Sequence, residues 1–229
     1  MKKNIIKFIL LLSLFLVCTY LIYFYTMNKS VRVDKRIEAI DLTNINKLMI
    51  VAHPDDDYIW GGSHLIDDDY LVVCVTCGVK RERVIEFKKA MDKTNDKYIM
   101  LGYPDKTNGK RDNWNSVYDS ITNDLKKIIE YKDWELVVTH NPDGEYGHIH
   151  HKMTSSIVTS LYDGNLYYFG KYYKKNDVPE DLKKISEENS EKKKKELIPI
   201  YKSQASTMKK LGHMFDYENW VKKDEWKKD

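Results

Sequence analysis

Residues 53 to 57 read His-Pro-Asp-Asp-Asp and follow directly on the apolar run Leu48–Ala52; about a hundred residues later stands His148-Ile149-His150-His151. Together these clusters offer two imidazoles and a carboxylate for a metal, with a second carboxylate beside them. These are the parts of a zinc hydrolase site, which needs about three protein ligands and one open position for water. Pro54 stiffens the first loop and restricts His53. Consecutive carboxylates at 55 and 56 need not face the same way, so one can bind metal while the other reaches the attacking water. In the second cluster, Gly147 suits a turn into a helix. His148 and His151, three apart, would share a face of its first turn while His150 points elsewhere. One of that pair can complete the metal site and the other can donate a proton.

These clusters need elements to hold them. Strand-like apolar runs occur at Leu48–Ala52, Leu71–Thr76, Tyr98–Leu101, Leu136–Thr139 and Leu166–Phe169. Helical spacing of apolar residues marks Arg81–Thr94, Trp114–Tyr131 and His148–Tyr162, and Glu191–Leu211 reads as one long helix interrupted at Pro199. Strand and helix alternate, which predicts an α/β fold with a mostly parallel sheet flanked by helices. Ligands gather outside the carboxyl ends of strands in such sheets. His53–Asp57, Cys77-Gly78 and His140–Asp143 all follow strands and would share that rim. Gly61 and Gly62 would permit close backbone approach.

The chain has 229 residues, of which 42% are hydrophobic and 32% charged, enough for one packed domain with an extra segment. A formal net charge of +3 is too small to argue for nucleic acid. The lysine run 192–195, flanked by Glu191 and Glu196, reads as a solvated helix face. Three cysteines make no disulfide framework; Cys74 and Cys77, three apart at a strand exit, should face opposite ways.

At the N-terminus, Phe8–Met27 is uncharged and mostly apolar over roughly 20 residues, enough to cross a bilayer, with Tyr20, Tyr23, Phe24 and Tyr25 at its far end like interfacial aromatics. The expectation is therefore an uncleaved single-pass transmembrane anchor over 1–27, a polar tether over 28–44 and a catalytic domain over 45–229. Both flanks of the span are basic, so charge does not settle its orientation; the catalytic domain is placed on balance on the extracytoplasmic side.

The ordered motifs resemble the PIG-L/LmbE-like N-acetylglucosaminyl deacetylase family over most of residues 46–205. The matching pieces are Ala52–Asp56, Gly61-Gly62, Thr76-Cys77-Gly78, Arg83–Glu86 with Ala90, Leu101–Asp105, Thr139-His140-Asn141, Gly144–His148 with His151, and Tyr201–Gln204. The resemblance implies a Rossmann-like fold and a single divalent metal, usually zinc, although iron or cobalt suits such ligands too. It makes His53, Asp56 and His151 the metal ligands and Asp55 the general base. His148, as imidazolium, would stabilise the oxyanion and protonate the leaving amine, with Tyr146 adding a hydrogen bond. Arg83 and Asp105 would contact substrate. The implied reaction removes acetyl from an N-acetylglucosamine-type glycan, glycoside or glycolipid. N-acetylglucosaminyl-phosphatidylinositol is the narrower alternative, and a non-catalytic membrane-tethered sugar-binding module the rival. Two positions depart from the family: Asp57, where relatives often carry Glu, and His150, where relatives commonly carry an acidic residue or Asn. His140 and His150 are expected to be structural or surface histidines.

Overall fold

The computed structural model describes residues 2–27 and 33–227, with side chains at 7–21 and 33–227. The chain divides into two units, residues 1–31 and residues 32–229. The first holds helix α1 (Lys2–Met27). Among the described residues no helix is long and apolar enough to cross a membrane. That finding corrects the expected single-pass anchor, the membrane as partner and the extracytoplasmic placement. The side chains of Tyr23, Phe24 and Tyr25, and residues 28–32 of the expected tether, lie outside the described residues.

In the second unit α2 (Val33–Glu38) precedes β1 (Lys47–Val51), α3 (Asp56–Asp67), β2 (Tyr70–Thr76), α4 (Arg81–Thr94) and β3 (Lys97–Tyr103). A small hairpin, β4 (Lys106–Thr107) and β5 (Lys110–Arg111), leads to α5 (Tyr118–Ile129), β6 (Leu136–Thr139), the short turn α6 (Gly144–Gly147), α7 (Ile149–Leu161) and β7 (Leu166–Tyr168). The C-terminal part holds α8 (Glu187–Lys192), α9 (Ala205–Leu211) and β8 (Val221–Lys222). The main sheet has the order β3-β2-β1-β6-β7-β8. Its pairings are parallel except for β8, which runs antiparallel to β7 at the edge.

The sheet forms because its strands are apolar on both faces, as strands covered by helices on both sides must be. Along β1 the side chains alternate: Leu48 and Ile50 join the layer of α2, α5 and α7, while Met49 and Val51 join the layer of α3, α4 and the C-terminal segments. Val33, Ile37, Leu42 and Ile45 are buried in the first layer, so residues read from sequence as a polar tether pack on the domain.

Four local readings change, the first being the long helix expected over Glu191–Leu211, which is broken into α8, a π-helical turn, two 3-10 turns and α9. The expected helix over 114–131 starts at Tyr118 because Trp114 has φ 56, with its amide held by Asp112 Oδ1 at 2.7 Å. The lysine run is not wholly solvated: Lys193, in a π-helical turn after α8, is fully buried. Its Nζ donates to Ile59 O at 3.0 Å and Phe215 O at 2.8 Å and pairs closely with Glu218. Gly62 makes room for that side chain, since a Cβ there would lie 3.2 Å from Lys193 Cδ, and a Cβ on Gly61 would meet Met49 Cε at 2.5 Å. These glycines serve packing, not approach to a ligand.

Candidate active site

Strand β1 ends at Val51 and α3 begins at Asp56, leaving His53, Pro54 and Asp55 in a tight connection at the sheet's carboxyl rim. Asp55 has φ 133, a strained conformation for a residue with a side chain. Its N–H donates to Asp57 Oδ1 at 2.9 Å, and Asp57 Oδ2 accepts from Tyr201 OH at 2.7 Å. Burial pushes the Asp57 carboxyl up to about 7, against both of these hydrogen bonds. His53 N–H donates to Asp56 Oδ2 at 2.8 Å, which folds the loop back on itself.

The second cluster sits on α7. His148 is its N-cap and accepts the His150 N–H on Nδ1 at 3.2 Å. His148 and His151 share a face as their spacing predicts, with ring centroids 4.4 Å apart. His151 then meets the first cluster. Its Nε2 lies 3.3 Å from Asp56 Oδ2 and 3.3 Å from His53 Nδ1, and those two atoms are 3.1 Å apart. Ligands about 2.0–2.1 Å from a tetrahedral ion stand about 3.3 Å from one another, so the three atoms match such an ion's spacing. All three side chains are buried.

Other His and Asp groupings around the same point also bring their ligand atoms within 4.8 Å: His53, His148 and His151; His53, Asp105 and His150; Asp56, His140 and His151. In the first and third a needed imidazole lone pair is spent elsewhere: His148 Nδ1 accepts its N-cap bond and His140 Nε2 accepts Ala52 N–H at 2.9 Å. In the second, Asp105 is already paired with the cations of Arg111 and Lys80.

Behind the cluster stands a residue the sequence reading quoted in a motif but gave no role. Glu145, at φ 50 in the turn before α7, accepts from His151 Nδ1 in a close contact, from His140 Nδ1 at 3.1 Å and from Asn141 N–H at 3.0 Å. A carboxylate behind a ligating imidazole orients the ring and raises its basicity. Burial opposes a charge on His151, but Asp56 and Glu145 outweigh it and push that imidazole up to about 10. The charged ring donates Nδ1–H to Glu145 and Nε2–H to Asp56, and a cation would take the place of the Nε2 proton. Burial likewise opposes charge on Glu145, yet His140 and His151 hold it down to about 2. Burial lowers His53 to about 4, and burial with His151 and His53 nearby lowers His148 to about 2. Burial, then Asp56, raises Asp55 well above the usual carboxylate range, with Arg83 acting against them.

The remaining expected residues border one cavity of about 570 Å³, lined by His53, Asp55, Asp56, Arg83, Asp105, Tyr146 and His148 among others. Arg83 is more deeply engaged than a surface contact would be. It is buried, its Nη2 donates closely to Pro54 O and lies 3.3 Å from Asp55 Oδ1, and its Nε has no partner among the described residues. Asp105 reaches within 3.5 Å of His53 Nε2 and is tied to Arg111 and Lys80. Tyr146 is half-buried, its ring 5.6 Å from that of His151. His140 and His150 are both fully buried against the ligand cluster, not on the surface.

Known proteins match this chain in sequence and fold. Uncharacterized protein L374 of Acanthamoeba polyphaga mimivirus is 31% identical over 193 residues, covering 77% of this chain and 79% of that protein. The N,N'-diacetylchitobiose deacetylase from Pyrococcus horikoshii, solved with its inhibitor MPG, superimposes with a TM-score of 0.56 at 16% identity, over 76% of this chain and 77% of that one. The A40926 pseudoaglycone deacetylase Dbv21 does so with a TM-score of 0.54 at 18% identity, over 72% and 84%. At such identities these two likenesses establish a shared fold. The model of the PIG-L family, described as GlcNAc-PI de-N-acetylase, matches residues 48–162, from the first residues of β1 through the end of α7 and therefore both clusters, and the chain belongs to that family.

Proposed function

We propose that the protein is a metal-dependent amide hydrolase that removes the N-acetyl group from an N-acetylglucosamine-type sugar, releasing acetate and leaving a free amine. One observation carries this reading: three ligand atoms, from His53, Asp56 and His151, stand 3.1–3.3 Å apart, and His53, Asp55 and Asp56 line one cavity. Membership of a family described by de-N-acetylation supports the reaction class, and the deacetylase folds are consistent with an amino-sugar substrate.

His53, Asp56 and His151 would hold one divalent ion, zinc first among those that suit imidazole and carboxylate. Such an ion polarises a carbonyl and lowers the pKa of its water to about 7. Asp55, buried and raised in pKa, takes a proton from the attacking water and returns it to the sugar nitrogen as the carbon–nitrogen bond breaks. His148 keeps its Nδ1 occupied by the His150 N–H, which leaves Nε2–H to donate to the carbonyl oxygen as it gains charge. This neutral donor replaces the imidazolium expected from the resemblance, since burial and the neighbouring imidazoles disfavour a second positive ring. Tyr146 supplies a further hydroxyl to the same oxygen. Arg83 positions Asp55 through Nη2, and Asp105 serves a sugar hydroxyl at the cavity edge.

The test is acetate release by the zinc-loaded protein from N,N'-diacetylchitobiose and from N-acetylglucosaminyl-phosphatidylinositol, assayed in parallel. Release from either, abolished in Asp55→Ala with bound zinc retained, is the expected result. Saturable sugar binding with no acetate from any amino sugar would replace the hydrolase by a binding module.

A further inference from the structure

His150 was read from sequence as a structural or surface histidine at a position where relatives carry an acidic residue or Asn. It is buried, and three contacts define its ring. Nε2 lies 2.7 Å from Asp112 O, the ring stacks on Trp114 with centroids 4.1 Å apart and planes 8° apart, and Nδ1 lies 3.1 Å from His53 Nε2.

The first contact sets the tautomer. A carbonyl only accepts, so His150 Nε2 must carry a hydrogen, and a buried neutral ring then leaves Nδ1 as an acceptor. The donor across the 3.1 Å contact is therefore His53 Nε2–H. That leaves the lone pair of His53 on Nδ1, the atom facing Asp56 and His151. Asp105 Oδ1 also approaches His53 Nε2, at 3.5 Å, but it is drawn toward Arg111. The carbonyl that starts the chain is itself fixed: Asp112 N–H donates to Asp105 O at 3.1 Å, and Asp112 Oδ1 accepts from Trp114 N–H.

We infer that His150 is a positioning residue for the cation site: through a carbonyl–imidazole–imidazole relay from Asp112 O, it holds His53 in the tautomer and orientation that present Nδ1 as a ligand. The inference rests on the reading of His53 as a metal ligand. The ring nitrogens of His150 face Asp112 and His53; His148 meets the backbone N–H of His150 through Nδ1 and its ring edge-on, with centroids 5.4 Å apart. A partner behind a ligating imidazole is worth about 10–100-fold in metal affinity.

Two measurements test it. In zinc-loaded protein labelled with ¹⁵N-histidine, ring shifts should show His53 and His150 both protonated at Nε2 and His53 metallated at Nδ1. Metallation of His53 through Nε2, or protonation of His150 at Nδ1, would overturn the relay. In chelator-competition titrations, H150F keeps a ring against Trp114 but offers no acceptor, and should bind zinc about 10–100-fold more weakly. H150N keeps an acceptor at the δ position and should stay within a few-fold of wild type, with the thermal unfolding of each zinc-free protein recorded alongside. Unchanged affinity in H150F, or two zinc ions per wild-type chain with the second held by His53 Nε2, Asp105 and His150, would defeat this inference alone. A wild type that binds no zinc would remove the hydrolase reading and the relay together.

Discussion

The carboxylate of Asp57 accepts the backbone N–H of Asp55 at 2.9 Å and so holds its neighbour at φ 133, where a side chain is normally avoided. The same carboxylate accepts the hydroxyl of Tyr201, which joins the rim of β1 to the C-terminal segment. Replacing Asp57 with Ala leaves a buried N–H and a buried hydroxyl without partners, at about 1–3 kcal/mol for such a group. Asp57→Ala should lower stability in urea unfolding by that order, and should slow acetate release while zinc binding persists. Tyr201→Phe, which removes only the hydroxyl, should have the smaller effect on rate. Equal rates in wild type and Asp57→Ala would show that the strained backbone is irrelevant to turnover.

Glu145 shares one oxygen between His140 and His151. Glu145→Gln is uncharged, and with its one oxygen on the two rings its NH₂ meets the Asn141 N–H that Oε1 now accepts. Zinc affinity should fall about 10–100-fold, read by chelator competition, with secondary structure unchanged by circular dichroism. Wild-type affinity in this variant would mean that His151 needs no carboxylate behind it.

Lys193 and Glu218 form a fully buried ion pair. Glu218 also accepts the Ser63 N–H of α3 at 3.0 Å, so the pair ties the C-terminal segment to the helix that begins at Asp56. Removing one partner of a buried pair strands the other charge, at about 3–5 kcal/mol. Lys193→Met should lose stability on that scale in denaturant unfolding. A loss within the surface range of about 0.5 kcal/mol would show that the pair contributes little.

Asp96 is buried, accepts Tyr70 N–H at 2.8 Å and is bonded by the Thr94 hydroxyl; burial, partly offset by these bonds, pushes it up to about 8. In the unfolded chain it titrates at about 3.9. Between those values the folded protein keeps a proton that the unfolded protein has lost, so this group weakens the fold as pH rises from about 4 to about 8. Asp96→Asn should remove that slope, and its stability relative to wild type should increase with pH across the window in urea unfolding. A difference independent of pH would place the folded-state titration of Asp96 near its unfolded value.

Much of the architecture is legible because parallel strands covered on both faces must be continuously apolar, as in Leu71–Thr76, and because ligands collect at their carboxyl ends. His53 and Asp56 follow from one such end, and His148 and His151 from helical spacing. What escapes is what depends on partners far along the chain. Lys193 looks like any lysine in a run until Glu218 is placed beside it. Glu145 is one acidic residue in a glycine-rich turn until two imidazoles close on it. The two-residue strand β8 is too short to carry a period, and Trp114 leaves its helix through a positive φ that apolar spacing does not reveal. In Phe8–Met27, apolar composition alone suggests a bilayer span that the described residues of α1 do not support.

The most direct measurement is anomalous diffraction at the zinc edge from crystals of the zinc-loaded protein. The account predicts one peak per chain, about 2.0–2.2 Å from His53 Nδ1, Asp56 Oδ2 and His151 Nε2. A peak centred on any other set of side chains, or none at all, would contradict it.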